Sequence, residues 1–446
     1  MSTVKDQRVV ERPFGPFERM LALRYLGAKR EHGGLAFISV VSVVGITLGV
    51  WALILTMSIM NGFRLELISK IVGFESHVFI DTRGVPLSTA DELMAKLRQR
   101  PGVENVEPLH EGFGLVSAYG RSDGVQVRGI RPEDLRKNSL IAESIAAGQR
   151  MRENPGEPAP RTTVGQGSLD RFGDEGALSQ DLVMGSAFAY ELGVGVGDKV
   201  TITQSNGART VLGTAPRTKT YTISAIFHVG NERYDRGVVF VPIEASKLLF
   251  GYGEGYPVVG LRLSDPDAAD DFVKQLETEE RYVMQSWIQR NGTYVTALVV
   301  ERNVMRLILI VVVITALNII TGVLMLVKNK ARDIAILRTI GATRAGVVRI
   351  FMMSGTVLGM AGVGTGVLLG VLCAIYIAPI QHFLEYITGT QLFPPDIYQL
   401  DALPAKLEWA EVASVGGAAF VVTLLMSIIP SLWAARLNPV EALRFE

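Results

Sequence analysis

Four long apolar runs dominate the hydropathy pattern of this chain. They lie at about 36–60, 307–327, 351–378 and 412–434. A helix needs about 20 apolar residues to cross the ~30 Å hydrocarbon core of a bilayer, and each run is long enough. The pattern therefore predicts four transmembrane helices in a 1+3 arrangement. The region 61–306 has ordinary mixed composition and is long enough to fold around its own core.

The basic residues near these runs predict the orientation of the chain. Lys and Arg are frequent in 1–35 and in the connection 328–350, whereas Lys406 is the only Lys or Arg in the connection 379–411. Because basic segments stay in the cytoplasm, we expect both termini (1–35 and 435–446) and 328–350 to be cytoplasmic. Regions 61–306 and 379–411 are then exported. No small-residue cleavage site follows the first span, which favours an uncleaved anchor.

Residues 14–30 predict a short helix at the membrane interface, or else a plain cytoplasmic helix or tail, with Glu18, Arg19, Lys29 and Arg30 on its polar face. Asn438-Pro439 predicts the start of a short C-terminal helix.

Alternation and turn signals predict an α+β fold for the exported region. A strand at 77–80, a helix at 89–100 capped by Ser88 or Thr89, and strands at 103–110 and 114–118 open it. A similar order closes it: strand 258–264, helix 267–278, strand 282–287. Residues 181–242 between them predict a β-rich subdomain. The predicted fold class is an α-helical membrane protein with a large extracytoplasmic domain, made of a porter-like α+β layer and this β-rich subdomain.

Two connections are candidate docking elements. Residues 205–218 form a long loop between predicted strands 199–204 and 219–227, with Val211 and Leu212 exposed; it is either a protein-docking arm or a variable surface loop. In 328–350, Asp333 is expected to cap a short helix that Gly341 ends, and Thr343 to cap the third span. The short helix has an apolar ridge formed by Ile334, Leu337 and Ile340. This ridge is expected to lie either on lipid headgroups or in the groove of a partner protein.

Composition and motifs argue against catalysis by this chain. The formal net charge of zero gives no reason to expect a nucleic-acid partner, and the single cysteine, Cys373, lies in the third span. There is no phosphate-binding loop, zinc motif or nucleophile elbow, and the five histidines are scattered. We expect no catalytic, cofactor or metal site. The spans carry no internal charge, which disfavours an ion-coupled carrier.

Gly-x-x-x-Gly pairs in the spans predict close helix packing, either within the chain or between subunits.

Four stretches carry a resemblance to permeases of the LolC/LolE type. They are residues 24–63, 333–355, 185–202 and 437–446, of which the second and fourth are shared with MacB-like and FtsX-like permeases. The resemblance implies a homodimer or heterodimer that binds a separate LolD-like ATPase, which holds ATP and magnesium. Such permeases take a triacylated lipoprotein from the outer leaflet of the Gram-negative inner membrane and pass it to a LolA-like periplasmic chaperone.

The resemblance also assigns roles to residues. The segment 333–343 would be the helix that couples to the ATPase, with contacts from Asp333, Ile334, Leu337, Arg338, Ile340 and Gly341. The loop 205–218 would be the hook that holds the chaperone, formed by Val211, Leu212, Gly213, Thr214, Ala215, Pro216 and Lys219. Thr214 and Arg217 depart from the hook pattern. A developed hook makes the chain LolC-like, or a hybrid that works as a homodimer.

Extraction of acyl chains needs an apolar receptor, because each CH₂ costs about 0.8 kcal/mol to remove from lipid. On helical spacing, one stripe of the first span could line a groove between two subunits: Val43, Ile46, Val50, Leu53 and Met57.

Other functions of the chain stay open. The chain could be a MacB-like or FtsX-like mechanotransmitting permease that drives an efflux duct or a cell-wall hydrolase, or a membrane scaffold without an ATPase.

Overall fold

The structure is a computed structural model of the chain. It describes residues 13–26, 33–153, 164–210, 213–292, scattered positions between 296 and 328, 330–390, 392–394, 400 and 403–436. The chain divides into two compact units. We call residues 1–63, 299–383 and 404–446 the membrane unit, and residues 64–298 with 384–403 the inserted domain.

The described helices and strands are these, in chain order. The helices are α1 (Pro16–Leu26), α2 (Gly33–Phe74), α3 (Leu87–Arg98), α4 (Pro132–Lys137), α5 (Ser139–Glu153), α6 (Ser186–Leu192), α7 (Glu232–Gly237), α8 (Ile243–Phe250), α9 (Ala269–Glu279), α10 (Trp287–Arg290), α11 (Ala331–Thr339), α12 (Arg344–Ile375), α13 (Ile377–Thr388) and α14 (Trp409–Arg436). The strands are β1 (Val78–Asp81), β2 (Val103–Ala118), β3 (Arg121–Ile130), β4 (Gln166–Gly167), β5 (Asp181–Gly185), β6 (Lys199–Thr210), β7 (Gly213–Phe227), β8 (Val238–Pro242), β9 (Val258–Leu263) and β10 (Val283–Ser286).

Three helices in the described part of the chain are long and apolar enough to cross a membrane. They are Val40–Phe74 within α2, α12 and α14, and they coincide with the predicted first, third and fourth spans. Most of the predicted second span, 307–327, lies outside the described residues, as does the C-terminal helix expected after 435. Helix α2 has 42 residues, about twice what a crossing requires, so it continues well beyond the predicted span boundary at 60.

Glycines on α12 allow the membrane helices to pack closely within one chain. A Cβ at Gly359 would lie 1.8 Å from Cγ2 of Thr423 on α14. On the α2 side, a Cβ at Gly366 would lie 2.8 Å from the carbonyl oxygen of Thr47. Both contacts would be clashes for any other residue. Of the two roles predicted for the Gly-x-x-x-Gly pairs, the α12 pairs therefore serve packing inside the chain.

A ten-stranded mixed sheet organises the inserted domain. The strand order is β10-β1-β9-β2-β3-β8-β5-β7-β4, and β6 pairs with β2 and β7. Strand β1 lies between β9 and β10, antiparallel to both, so the two ends of the domain's sequence form one edge of the sheet. The predicted pair of strand–helix–strand units corresponds to β1–α3–β2 and β9–α9–β10. Helix α3 packs on this layer through buried Ala90, Leu93, Met94 and Leu97.

Two local predictions for this domain are wrong. Neither Ser88 nor Thr89 caps α3, which starts at Leu87 after an extended Pro86 without a side-chain cap. The strands expected at 103–110 and 114–118 are one continuous strand, β2, because Glu111 and Gly112 keep pairing with β3. The region 181–242 contains β5, β6, β7 and β8, and these strands join the same sheet as β2 and β3.

Candidate functional site

The connection expected to be a loop at 205–218 is mostly a β-hairpin. Strands β6 and β7 stay paired from Lys199–Thr222 to Thr210–Gly213, with a register shift between Gln204 and Ala208. Only 211–212 separate the strands, so the long-loop prediction is wrong; the cross-strand ladder satisfies backbone groups that an open loop would leave to water.

The outer part of this hairpin extends beyond the sheet. Strand β2 pairs with β6 only at Thr201–Thr203, and β5 pairs with β7 only from Thr222 onward. Within the described residues, the hairpin beyond these positions pairs only with itself. We call residues 204–218 the hairpin arm.

The predicted hook residues fall on this arm and at its base. Val211 and Leu212 lie outside the described residues, and Gly213, Thr214 and Ala215 belong to the backbone of β7. Pro216 is exposed. At the base, the Lys219 ammonium lies 3.2 Å from the carbonyl oxygen of Ser179 and 5.1 Å from the centre of the Tyr221 ring. Burial lowers the pKa of Lys219. Lys219 therefore fixes the base of the arm against its own chain.

The predicted coupling helix is α11, and its ridge is only partly available to a partner. Ile334 is buried, Leu337 is half-buried, and Ile340 is 78% exposed just after the helix end. Ile336, on another face, is also exposed. Arg338 lies in the last turn, where a basic side chain complements the helix dipole.

One of the two helix caps predicted around α11 is wrong. Helix α11 starts at Ala331 with no side-chain cap, and Asp333 instead pairs with Lys330 at 3.2 Å. Gly341 follows the helix with φ +116°, the left-handed region that favours glycine, as expected for a helix stop. The Thr343 hydroxyl accepts a hydrogen bond from the Gly346 amide at 3.1 Å, which confirms the predicted cap of α12.

Helix α1 is tied to the start of α12 by an ion pair. The Glu18 carboxylate accepts hydrogen bonds of 2.6, 2.9 and 3.0 Å from the guanidinium of Arg349, and it also accepts one from the Phe14 amide. Glu18 was expected on a polar face, but it is buried. The exposed side of α1 carries the apolar side chains of Phe17, Met20 and Leu23 together with the basic Arg19 and Arg24. Exposed apolar side chains beside basic ones fit a helix that lies on a membrane surface.

The stripe predicted on the first span faces inward. Ile46, Val50 and Leu53 are buried and belong to the core of the membrane unit, while Val43 and Met57 are partly buried. The opposite face of α2 is exposed and apolar: Val40, Val41, Val44 and Leu48. Lining of a lipid groove by the inward stripe stays a prediction, and in the single chain α12 covers part of that stripe.

The described residues hold one Ser–His–Asp cluster that the sequence did not suggest. Nδ1 of His228 lies 2.8 Å from the Ser186 hydroxyl and 3.4 Å from the Asp235 carboxylate. Asp235 accepts hydrogen bonds from three backbone amides of 229–231. Because the same ring nitrogen faces both partners, the histidine cannot relay a proton between them as in a catalytic triad. The cluster orders the turn before α7.

A buried charge network at the end of α2 is a second feature that sequence reasoning missed. Arg128 on β3 contacts Glu75 at 3.2 Å and Glu111 at 3.4 Å, and Arg290 contacts Glu111 at 2.6 Å. Burial disfavours the charged form of Glu75, but the guanidiniums of Arg128, Arg290 and Arg233 outweigh it and lower the pKa. A cavity of about 610 Å³ borders the network. The only sequence signal was charge at otherwise apolar strand positions.

Two known families match successive parts of the chain. Residues 39–279 match the MacB-like periplasmic core domain, and residues 305–439 match the FtsX-like permease C-terminal domain. The chain is 32% identical to a protein named lipoprotein-releasing system transmembrane protein LolC from Xylella fastidiosa, over 97% of this chain and 100% of that one.

Two further relatives carry similar names. A LolC protein from Neisseria meningitidis is 30% identical over 96% of this chain and 99% of its own length. A protein named LolE from Haemophilus influenzae is 29% identical over 95% of this chain and 98% of its own length. The similarity therefore extends over both units.

Proposed function

The chain belongs to the LolC/LolE family of lipoprotein-releasing transmembrane proteins, and we propose that it extracts lipoproteins from the outer leaflet of the inner membrane and hands them to a periplasmic chaperone. It is an ABC transporter permease of the inner membrane, with a MacB-like periplasmic core domain. The transport step and the partners described below are the proposed part.

The hairpin arm is the observation that carries the proposed handover. Beyond Thr203 on β6 and before Thr222 on β7, the two strands of the arm pair only with each other within the described residues, which leaves their outer backbone edges open to a partner. Its base is fixed by the Lys219 contacts with the backbone of 177–179, so the arm is held in a defined direction. Leu178, 77% exposed, lies within that same turn. We infer that a soluble carrier docks on the arm and that Leu178 extends the apolar contact.

The cytoplasmic side supports docking of a separate ATPase. With the termini and 328–350 in the cytoplasm, α11 presents Ile340 and Ile336 to a partner groove. The other side of α11 packs against its own chain through the buried Ile334. Force that a partner applies to α11 is therefore transmitted to the rest of the chain. The ATPase holds ATP and magnesium, and this chain supplies no group to hydrolysis. The partner permease is a second copy or a paralogue.

Lipid extraction demands an apolar path. Three acyl chains cost about 0.8 kcal/mol per CH₂, which adds up to tens of kcal/mol if no surface receives them. The exposed face of α2, with Val41, Val44 and Leu48, fits this role better than the inward stripe, because nothing within the described chain has to move to free it. We propose that this face, paired with its counterpart in the second subunit, forms the groove.

Photo-crosslinking in living cells tests the handover. A photoreactive amino acid is placed at 212, between the two strands of the arm, and the product is identified by mass spectrometry. A matched control at Tyr190, which is 88% exposed on α6 of the same domain, reports random collisions. We expect a small soluble lipid-binding carrier to be captured from position 212 and not from Tyr190.

Other crosslinked partners would change the assignment. Capture of an outer-membrane duct protein or a cell-wall hydrolase would make the chain a mechanotransmitting permease of the MacB or FtsX kind. Equal capture of the carrier from position 212 and from Tyr190 would show that the arm is not the docking site.

A further inference from the structure

The chain enters and leaves the inserted domain at neighbouring points. It enters through α2, which ends at Phe74, and leaves through α10 and Asn291 toward the predicted second span. The Asn291 amide donates a hydrogen bond to the Glu75 carboxylate at 3.3 Å, across 216 positions of sequence. The residue that follows the entry helix thus bonds to the residue that follows the exit helix.

The entry point is fixed in the core of the domain. The Phe74 ring is buried and stacks on Tyr234 with centroids 4.0 Å apart. The last carbonyl groups of α2 do not depend on water, because Arg262 donates to those of Gly73 and Phe74 at 3.3 and 3.1 Å, and Asn138 donates to that of Phe74 at 3.0 Å. Satisfied end carbonyls and a buried ring make this helix end part of the domain.

The exit point is fixed to the same structure. The Trp287 amide donates to the carbonyl of His77 at 2.9 Å, and its indole N–H donates to the carbonyl of Pro266 at 2.8 Å. Asn291 also accepts a hydrogen bond of 2.6 Å from Arg233. Glu75 and Asn291 are both almost fully buried, so their bond is shielded from water.

The charge network does not serve as a binding site for an anion in the neighbouring cavity. Of the arginines that line this cavity, Arg128 contacts Glu75 and Glu111, Arg290 contacts Glu111, Arg83 contacts Asp81, and Arg233 donates to the Asn291 amide oxygen. An anion would have to displace a partner that is already in place. The charges instead connect the end of α2, strands β2 and β3, and α10 into one body.

We propose that Glu75 and Asn291, through Arg128 and Arg233, form a junction that makes the entry and exit segments of the domain move together. The proposal rests on the function proposed above, since it concerns how motion driven by ATP reaches the arm. If the entry and exit segments could separate, displacement of one membrane helix would only move these segments apart and would not move the whole domain. With the junction closed, the displacement rotates the whole domain. Glu75 and Asn291 are positioning residues in this account.

An exchange of the acid and the amide tests the junction. Glu75→Gln and Asn291→Asp each keep side-chain size but leave two amides or two acids facing each other. The double variant restores one acid and one amide with the hydrogen bond reversed. The readout is lipoprotein released per ATP hydrolysed by the full complex in vesicles. We expect each single change to lower this ratio about tenfold, and the double variant to recover to within about twofold of the unmodified protein.

Controls separate coupling from folding and from the function itself. Arg83→Gln removes an exposed ion pair at the cavity mouth and should leave the ratio unchanged. Asn291→Ser removes the bond to Glu75 together with the contact that Asn291 makes with Arg233, and it serves if Glu75→Gln does not fold. Single variants that release normally, or a double variant no better than the singles, would overturn the junction. If the unmodified complex hydrolyses ATP and releases nothing, the proposed function fails instead.

Discussion

At the residue scale, the most informative side chains are charged or titratable groups in places that sequence does not mark as special. Glu18 looked like one member of a polar helix face, yet it is buried against Arg349. Glu75 and Asn291 are 216 positions apart and touch. Local spacing predicts which residues share a face, but it cannot predict which distant element will cover that face. This is why the caps at Gly341 and Thr343 could be predicted, whereas these pairs could not.

His110 makes the stability of the inserted domain depend on pH. Its ring is buried, with Nδ1 2.6 Å from the Ser246 hydroxyl, and burial lowers its pKa to about 4. In the unfolded chain the pKa is about 6.5. Between these values the unfolded state binds one more proton, so the free energy of unfolding falls as pH falls from 6.5 to 4.

We therefore expect His110→Gln to reduce the loss of stability in acid. Between pH 7.5 and 5, the unmodified protein should lose about 2 kcal/mol more than the variant. Denaturant unfolding of the full chain in detergent measures this difference. His382→Gln, at an exposed position, is the matched control and should behave like the unmodified protein. An equal loss in the His110 variant would contradict the assignment.

At the element scale, apolar runs and alternation predicted the helices able to cross a membrane and the strand–helix–strand units at both ends of the inserted domain. They failed at the hairpin arm. Residues 205–210 (SNGART) contain Asn-Gly, which usually marks a turn, but cross-strand pairing with β7 continues past it through a register shift. Pairing of two strands is a property of both, and the pattern of either alone does not reveal it.

The glycines of α12 give an element-scale prediction. A side chain at Gly366 meets the backbone of Thr47 and the side chain of Val50, both 2.8 Å from its Cβ, so α2 must move away. We expect Gly366→Val to destabilise the membrane unit by about 1–3 kcal/mol. Gly364, two positions away on the same helix, has no neighbour within 4 Å of its Cβ.

Gly364→Val is thus a control with the same change in helix propensity and no clash. Thermal unfolding in detergent compares the two variants. Equal melting temperatures would show that α2 and α12 do not pack as described.

At the scale of the whole molecule, the two units divide the work of a lipoprotein-releasing permease. In the function proposed above, the membrane unit contributes α11 to the ATPase contact and the exposed face of α2 to lipid. The inserted domain contributes the hairpin arm to the carrier contact, and the proposed Glu75–Asn291 junction keeps its two ends together. The 1+3 arrangement predicted a membrane part that carries one large domain between its first two spans, which agrees with the two compact units.

The most direct measurement is release from vesicles. The chain is reconstituted with its ATPase partner and a fluorescent triacylated lipoprotein, and a soluble lipoprotein carrier is added outside with ATP. The account predicts that the lipoprotein appears in the soluble fraction bound to the carrier, and only when ATP and the carrier are both present. ATP hydrolysis that leaves the lipoprotein in the membrane, with the carrier present, would contradict it.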